Sequence, residues 1–256
     1  MDEFSAENPV NETSSRYARL IPLPKTDPNY EKVSSLFRKG WKHPAKQPPQ
    51  LCAIFKIVSP GSALQPFLDY KSIVSKASSW NAPSELDSEV LLFHGTNRAC
   101  LLGENLRNVV LCNLSECYLC TIIRESYAIE KCGSKHGFTR FGTGIYTSAC
   151  SSKADDYVCN KSQDAIMRVL LVNRVVVGRP KRMLRNAVHL KAPPYGFHSV
   201  IGVPGADLNY EETVVYSNDA IRPSYLVAYD SSVSALEERR RRRVALLRLF
   251  TTPLAS

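Results

Sequence analysis

Residues 140–157 read RFGTGIYTSACSSKADDY, with two glycines, two tyrosines and a run of small side chains between the tyrosines. Gly142 and Gly144 can adopt positive φ or let another backbone come close, so they predict a tight turn that leads into a strand. Tyr146 follows immediately, and Tyr157 comes eleven positions after it. Two aromatic rings around a floor of small side chains would hold a flat, uncharged or delocalised ring.

The run between the two tyrosines predicts a short helix. It extends from Ser148 to Tyr157, with Ser151 or Ser152 as the N-cap and Asp155 in the first turn. The Gly142-x-Gly144 pair lacks the third spaced glycine of a dinucleotide-binding loop. We therefore reject a Rossmann fold.

The composition is that of a globular protein with one domain. The 256 residues are 44% hydrophobic and 22% charged, and no apolar run approaches the roughly 18 residues that a membrane span requires. The N-terminus at residues 1–5 is acidic and lacks the apolar core of a signal peptide. These features predict a nuclear or cytoplasmic protein without a membrane span.

Eight cysteines in a chain without a signal peptide predict thiols or a metal site and not a disulfide framework. The spacing Cys112-x4-Cys117-x2-Cys120, with Cys132 and His136 downstream, supplies ligand types that suit zinc. Buried free thiols are the alternative interpretation of the same residues.

The order of elements favours an α+β fold. Helical spacing or helix-forming composition predicts helices at residues 29–40, 64–75, 100–106 and 121–129. Apolar or β-branched runs predict strands at residues 51–58, 89–93, 165–177, 212–216 and 221–229, whereas residues 186–205 have the composition of a loop. Strands and helices do not alternate strictly, which argues against a doubly wound sheet.

Three segments follow from these patterns. Residues 1–28 are polar and rich in proline, which predicts a flexible or extended lead-in. Residues 29–233 form the domain, and residues 234–256 form an arginine-rich helical or disordered tail. Much of the net charge of +9 comes from this tail. Arg239–Arg243 could contact a polyanion or direct the protein to the nucleus; a solvated or disordered tail is the alternative.

Four motifs in this order resemble the catalytic domain of poly(ADP-ribose) polymerases. They are His94-Gly95-Thr96 at a strand end, Phe141–Tyr146, Ser152–Tyr157, and Glu212–Tyr216 at the start of a late strand. The resemblance extends over residues 29–230. The sequence SSKADDY and the cysteine-rich insert are most similar to those of fungal and plant members. It implies a split β-sandwich with peripheral helices that catalyses NAD-dependent ADP-ribosyl transfer.

The resemblance also implies residue roles. The family's histidine-tyrosine-glutamate triad falls on His94, Tyr146 and Glu212, with Glu212 gripping the nicotinamide ribose and stabilising the developing cation. His94 would hydrogen-bond the adenosine ribose. The remaining NAD contacts would be the backbone of Gly95 with the carboxamide, Thr96 with a ribose, Tyr146 and Tyr157 stacking on nicotinamide, and Lys153 near the opening of the site.

Two departures from the family pattern bear on activity. Ala154 stands where a side-chain hydroxyl usually binds the carboxamide, and Ser148 is a neighbouring hydroxyl without an assigned role. The segment between Gly202 and Glu212 is short where polymer-forming members have a long acceptor loop, which favours transfer of single ADP-ribose units to protein or nucleic acid. A catalytically silent module that binds NAD or ADP-ribose and an NAD glycohydrolase remain the alternatives.

Overall fold

A computed structural model describes residues 17–79, 89–132 and 139–230. Within these ranges the helices are α1 (Pro28–Gly40), α2 (Gly61–Ser79), α3 (Tyr118–Glu125) and α4 (Ser151–Asp155), with 3-10 turns at Ile129–Lys131 and Asn218–Ala220. The strands are β1 (Arg19–Pro22), β2 (Gln50–Val58), β3 (Glu89–His94), β4 (Asn97–Arg98), β5 (Ile145–Thr147), β6 (Cys159–Asn160), β7 (Arg168–Val176), β8 (Pro180–Met183), β9 (Ser199–Gly202), β10 (Glu212–Val215) and β11 (Ile221–Asp230). None of the helices described here has the length and apolar character to cross a membrane.

The strands form two main sheets. The first is five-stranded and antiparallel in the order β1-β2-β11-β7-β3, and the second is four-stranded in the order β5-β10-β9-β8, with β8 and β9 parallel. A two-stranded parallel pair, β4-β6, lies apart from both. The α+β prediction with two sheets and peripheral helices is therefore confirmed.

Strand β7 separates two hydrophobic clusters. Val169, Leu171 and Val175 face a cluster that includes α3 and apolar residues of the second sheet, whereas Leu170 and Val172 face a cluster under α1. This alternation is the period-2 geometry of a strand that is buried on both faces. The long apolar run in the sequence is explained by this central position, and the predicted strand there is confirmed.

Helix α1 shows the start signals that its sequence predicts. The side chain of Asp27 accepts a hydrogen bond from the N–H of Asn29 at 2.7 Å, and Pro28 occupies the first turn. Gly40 is the last helical residue and not the residue after the helix. A Cβ atom on Gly40 would lie 2.7 Å from the carbonyl oxygen of Ala149, so this glycine permits close packing against the chain before α4.

Several local predictions were wrong for identifiable reasons. Residues 100–106 do not form a helix, because Gly103 adopts φ +85° in a turn. Residues 186–205 are not all loop, since Ser199–Gly202 is a fully buried strand paired with β10. Arg19–Pro22, within the lead-in that was predicted to be flexible or extended, is extended and pairs with β2 as an edge strand. Both strands are shorter than the apolar runs that signal strands in sequence, and pairing stabilises them.

The helix boundaries also differ from the predictions. Helix α3 begins at Tyr118, before the predicted start at residue 121, and ends at Glu125. The next residue, Ser126, takes φ +67°. Helix α4 begins after Cys150, so neither Ser151 nor Ser152 is the N-cap. Their hydroxyls are used in tertiary hydrogen bonds, Ser151 to the carbonyl oxygen of Phe37 and Ser152 from the backbone N–H groups of residues 42 and 43. The tail with Arg239–Arg243 and the candidate ligand His136 lie outside the described residues.

Candidate active site

The candidate site lies where the two sheets meet and then separate. Phe93 of β3 and Ser148, just after β5, form an isolated antiparallel bridge with N–O distances of 2.8 and 3.0 Å. Continuing that register would set Gly95 opposite Tyr146, but the two strands belong to different sheets there. Along a strand, the backbone N–H and C=O groups of successive residues point to alternate sides. The N–H and C=O of Gly95 therefore point to the same side as those of Phe93, into the gap between the two sheets.

Gly95 is required by the close approach of α4. A Cβ atom at this position would lie 2.0 Å from the carbonyl oxygen of Ala154, well inside van der Waals contact. Thr96, the next residue, is buried, and its carbonyl oxygen accepts a hydrogen bond from the N–H of Cys159 at 3.3 Å. The chain after β3 is thus held against α4 on a backbone that only glycine permits.

His94 is fixed in orientation by contacts on two sides. Its Nδ1 lies 2.9 Å from the carbonyl oxygen of Tyr146, and because a carbonyl only accepts, Nδ1 carries the proton and donates. The ring of Tyr127 packs edge-on against the imidazole, with centroids 5.1 Å apart. The hydroxyl of Tyr127 donates to Asn173 at 2.9 Å, and Asn173 donates to the carbonyl oxygen of Leu92 at 3.2 Å.

Tyr146 uses its hydroxyl for structure and presents its ring to the site. The hydroxyl donates to the carbonyl oxygen of Gly142 at 2.8 Å and accepts from the N–H of Phe141 at 2.9 Å. Burial raises the pKa of Tyr146 to about 12, and the negative charge of Glu212 adds to the shift. These bonds close the Gly142 turn, in which φ is +68°, and fix the position of the tyrosine ring.

Tyr157 follows α4 and remains 45% exposed. Its N–H donates to the carbonyl oxygen of Ala154 at 3.1 Å in the turn after α4, so the predicted helix ends at Asp155, before Tyr157. Partial burial raises the pKa of Tyr157, and the negative charges of Glu212 and Asp156 raise it further. Glu212 thus raises the pKa of both tyrosines.

Glu212 opens β10 on the same sheet face as Tyr146. Tyr146 pairs with Val214, and the period of two along β10 puts Glu212 on that same face. The preceding residue, Glu211, turns away, and its carboxylate lies 3.4 Å from Arg182. The register thus puts Glu211 and Glu212 on opposite faces of β10, as the strand period predicts.

Lys153 and Glu212 form a buried ion pair. The distance from Lys153 Nζ to Glu212 Oε1 is 2.8 Å, and Nζ also donates to the carbonyl oxygen of Tyr210 at 2.9 Å. Burial lowers the pKa of Lys153, Glu212 opposes that shift, and the positive charge of Arg140 adds to it. The second carboxylate oxygen of Glu212, Oε2, is buried and has no hydrogen-bond partner among the described residues.

Neither Ala154 nor Ser148 supplies a hydroxyl to the gap. The side chain of Ala154 is buried in the cluster under α1. The hydroxyl of Ser148 donates to the carbonyl oxygen of Glu211 at 2.6 Å and accepts from the N–H of Cys150 at 3.0 Å. Since Ser148 is used to join β5 to β10, it does not replace the hydroxyl missing at residue 154.

Helix α4 is anchored by a charged network that the sequence analysis missed. Asp155 accepts hydrogen bonds from Arg168, Lys46 and the hydroxyl of Tyr229, each at 2.6 Å. Burial raises the pKa of Asp155, but the charges of Arg168 and Lys46 and these hydrogen bonds outweigh that effect and leave the pKa lowered. The network fixes the helix that carries Lys153 and leads into Tyr157.

Tyr127, Arg140 and Asn173 were also missed. Tyr127 lies in a predicted helix and Arg140 opens the stretch at residues 140–157, but nothing in either local pattern gives the side chain a role at the site. Asn173 carried a signal, because a polar residue inside an otherwise apolar strand requires a buried partner. That partner is Tyr127, which links Asn173 to His94.

The cysteines offer a separate candidate metal centre. Sulfur atoms of Cys100, Cys112, Cys117 and Cys120 all lie within 4.8 Å of one another. The predicted ligand Cys132 is not among them, which corrects the predicted set. It lies beyond the 3-10 turn after α3, where its sulfur contacts the carbonyl oxygen of residue 128 at 3.7 Å. Cys100 takes the fourth position, from a loop that the sequence analysis assigned to a helix.

A comparison with known families matches the same region. The family model described as "Poly(ADP-ribose) polymerase catalytic domain" matches residues 28–206, which is more than half of the chain. The matched range contains His94, Gly95, Tyr146 and all of α4. It ends before β10, so the assignment of Glu212 to the site depends on strand register and on its pairing with Lys153.

Proposed function

The chain belongs to the poly(ADP-ribose) polymerase catalytic-domain family, and we propose that it transfers single ADP-ribose units from NAD to an acceptor and releases nicotinamide. One observation carries the proposal beyond the family. A carboxylate oxygen, Glu212 Oε2, is buried beside the gap without a partner in the described structure, whereas Oε1 is paired with Lys153. An unpaired buried polar group is costly, and a ribose hydroxyl of NAD would satisfy it.

The residues around the gap fit the other parts of NAD. The peptide group of Gly95 can meet the planar carboxamide at close range because no side chain intervenes. The rings of Tyr146 and Tyr157 stack on the nicotinamide. The imidazole of His94, whose Nδ1 donates to the carbonyl oxygen of Tyr146, contacts an adenosine ribose hydroxyl.

The reaction breaks the bond between the nicotinamide nitrogen and C1′ of the ribose. The nitrogen takes the bonding electrons, so nicotinamide leaves as a neutral molecule and no strong general acid is required. Positive charge develops at C1′ and the ring oxygen, as in glycoside hydrolysis, and the carboxylate of Glu212 stabilises it. An acceptor atom then forms the new bond to C1′ and loses its proton.

Lys153 has a positioning role in this scheme. Its ammonium bonds both Glu212 and the carbonyl oxygen of Tyr210, so it fixes the carboxylate relative to the loop before β10. Its charge also offsets part of the cost of holding an ionised carboxylate at a buried position. Glu212 is thereby held in a fixed position for use on the substrate.

Transfer of single units is supported by the loop between β9 and β10. Residues 203–211 are held by hydrogen bonds along the loop. The N–H of Val203 donates to the carbonyl oxygen of Met183 at 2.8 Å, and the N–H of Gly205 donates to the carbonyl oxygen of Leu208 at 2.8 Å. The carbonyl oxygen of Tyr210 accepts from Lys153. Extension of a polymer requires a second surface that grips the end of an ADP-ribose chain. A short loop already engaged with its own sheet offers little such surface.

The acceptor is a protein side chain or a nucleic-acid end, in a nuclear or cytoplasmic setting. The basis for nucleic acid is the run Arg239–Arg243, because clustered arginines bind phosphates. Truncation after residue 234 should weaken binding to a labelled single-stranded oligonucleotide and make the remaining binding less sensitive to salt. Unchanged binding and unchanged salt dependence would show that the tail does not contribute to binding a nucleic-acid acceptor.

NAD labelled on the adenylate group tests the proposed function. Purified protein should release nicotinamide and become labelled, or label added protein or nucleic acid, in discrete single-unit steps without a ladder of longer products. A ladder would contradict single-unit transfer. Nicotinamide release without any labelled acceptor would indicate a glycohydrolase, and NAD binding without release would indicate a silent binding module. The Glu212→Gln variant is the negative control for each of these measurements.

A further inference from the structure

We propose that Cys100, Cys112, Cys117 and Cys120 bind one structural Zn²⁺ ion, at a site separate from the NAD gap. Cys100 lies just after β4, and Cys112 lies further along the segment between β4 and α3. Cys117 immediately precedes α3, and Cys120 lies in its first turn. The proposal does not depend on the proposed transferase activity, because neither the ligands nor the test involves NAD.

The spacing of the sulfur atoms is that of a single tetrahedral ion. Cys100 Sγ lies 3.7 Å from Cys117 Sγ and 3.6 Å from Cys120 Sγ. A Zn–S bond of about 2.3 Å in tetrahedral geometry puts neighbouring sulfurs about 3.8 Å apart. A disulfide requires an S–S bond of about 2.05 Å, so these contacts are not disulfides. All four sulfurs fall within 4.8 Å, close enough to share one ion.

The local backbone already has the form of a metal-binding turn. Cys117 lies immediately before α3 and Cys120 lies in its first turn, so the x2 spacing brings both sulfurs to one end of the helix. The N–H of Cys117 donates to the carbonyl oxygen of Leu114 at 3.1 Å, which closes the turn before the helix. Arg124, from the last turn of α3, donates to the carbonyl oxygen of Cys112 and brings that loop to the helix.

The segment between β4 and α3 is only partly packed against the hydrophobic core. Between β4 and α3 no helix or strand forms in the described chain, and several large apolar side chains there are exposed: Leu101, Leu106, Val110 and Leu114. A long segment without secondary structure requires another means of fixation. Cys117 and Cys120 are fully buried and provide it if they share an ion with Cys100 and Cys112.

Four protein ligands close the coordination sphere, so the ion has no open position for a substrate or water and its role is structural. Its effect reaches the candidate active site through α3. That helix begins at the cysteines and ends before Tyr127, the residue whose ring packs against His94. The ion therefore stabilises the support of His94 without touching the reacting atoms.

Metal analysis of the purified full-length chain tests the proposal. We expect about one zinc per chain after dialysis against a weak chelator. Cys100→Ser should lower the zinc content at least fivefold, whereas Cys132→Ser should retain it, because Cys132 lies in the same region outside the cluster. Retention of zinc in Cys100→Ser, or its loss in Cys132→Ser, would overturn the ligand assignment.

A second measurement on the unmodified protein guards against a Cys100→Ser variant that does not fold. X-ray absorption at the zinc edge should give four sulfur neighbours at about 2.3 Å, and cobalt substitution should give the visible spectrum of a tetrahedral tetrathiolate. A shell with nitrogen or oxygen ligands, iron in place of zinc, or protein that purifies without metal and does not take up zinc would each refute the proposal.

Discussion

Lys153 Nζ lies 2.8 Å from Oε1 of Glu212, and the other carboxylate oxygen, Oε2, is buried without a partner in the described part of the chain. One oxygen is thus bonded within the protein, and the other is the oxygen that we propose for the ribose of NAD. The pairing brings together the helix that leads to Tyr157 and the strand that follows the short acceptor loop. The first predictions follow from it.

Glu212→Gln should lower kcat for nicotinamide release by about 10²–10³-fold and change NAD affinity by less than about threefold, because the carboxylate acts mainly on charge that develops in the transition state. Glu211→Gln is the matched control, since that side chain faces Arg182 and not the gap. Steady-state kinetics and equilibrium NAD titration measure the two effects. Equal losses in both variants would exclude Glu212 from the catalytic role.

Lys153→Met should lower kcat by about tenfold or more, because Glu212 loses the group that orients it and a buried carboxylate is left without its cation. Lys153→Arg keeps the charge and should recover part of the activity. Burial lowers the pKa of Lys153, so the wild-type rate should fall at alkaline pH as the ammonium deprotonates. The arginine variant should move that alkaline decline to higher pH. Identical pH–rate profiles would show that Lys153 does not control the carboxylate.

Ala154→Ser should not strengthen NAD binding, because the side chain at residue 154 is buried in the apolar cluster under α1 and an added hydroxyl there would lack a partner. The nearby hydroxyl of Ser148 is already used between β5 and β10. Ala45→Ser, which adds a hydroxyl to an exposed loop, is the control. Isothermal titration with NAD measures the difference. Binding by Ala154→Ser about fivefold tighter than wild type, the effect of one additional neutral hydrogen bond of about 1 kcal/mol, would show that a hydroxyl at residue 154 does reach the carboxamide.

Asp155→Asn should destabilise the fold by about 2–3 kcal/mol at pH 7, because Arg168 and Lys46 lose their buried partner. The pKa of Asp155 is lowered in the folded protein, so its contribution is complete above the unfolded pKa of about 3.9 and is lost as the pH falls through the folded value. Urea denaturation of both proteins should therefore give a difference that narrows below about pH 4. A constant difference across that range would contradict the assigned ionisation.

Sequence and structure agree best where the signal is local. The strands β2, β3, β7, β10 and β11 were predicted because each is a run of apolar or β-branched residues bounded by turn residues. The short strands β1, β8 and β9 were not, because hydrogen bonds to neighbouring strands define them more than their own composition does. The same holds for the serines at the start of α4, whose tertiary partners removed them from the capping role.

The sequence by itself determined the α+β class, the order of the motifs, and the residue types at His94, Gly95, Tyr146 and Glu212. Strand period and side-chain chemistry depend on neighbouring residues in the chain, so they can be recognised without the fold. Only the tertiary structure decided which groups meet. It paired Lys153 with Glu212, supported His94 through Tyr127 and Asn173, and replaced Cys132 by Cys100 in the cysteine cluster. Those contacts join residues far apart in the chain. Their distances are set by sheet register and helix packing, which no local pattern specifies.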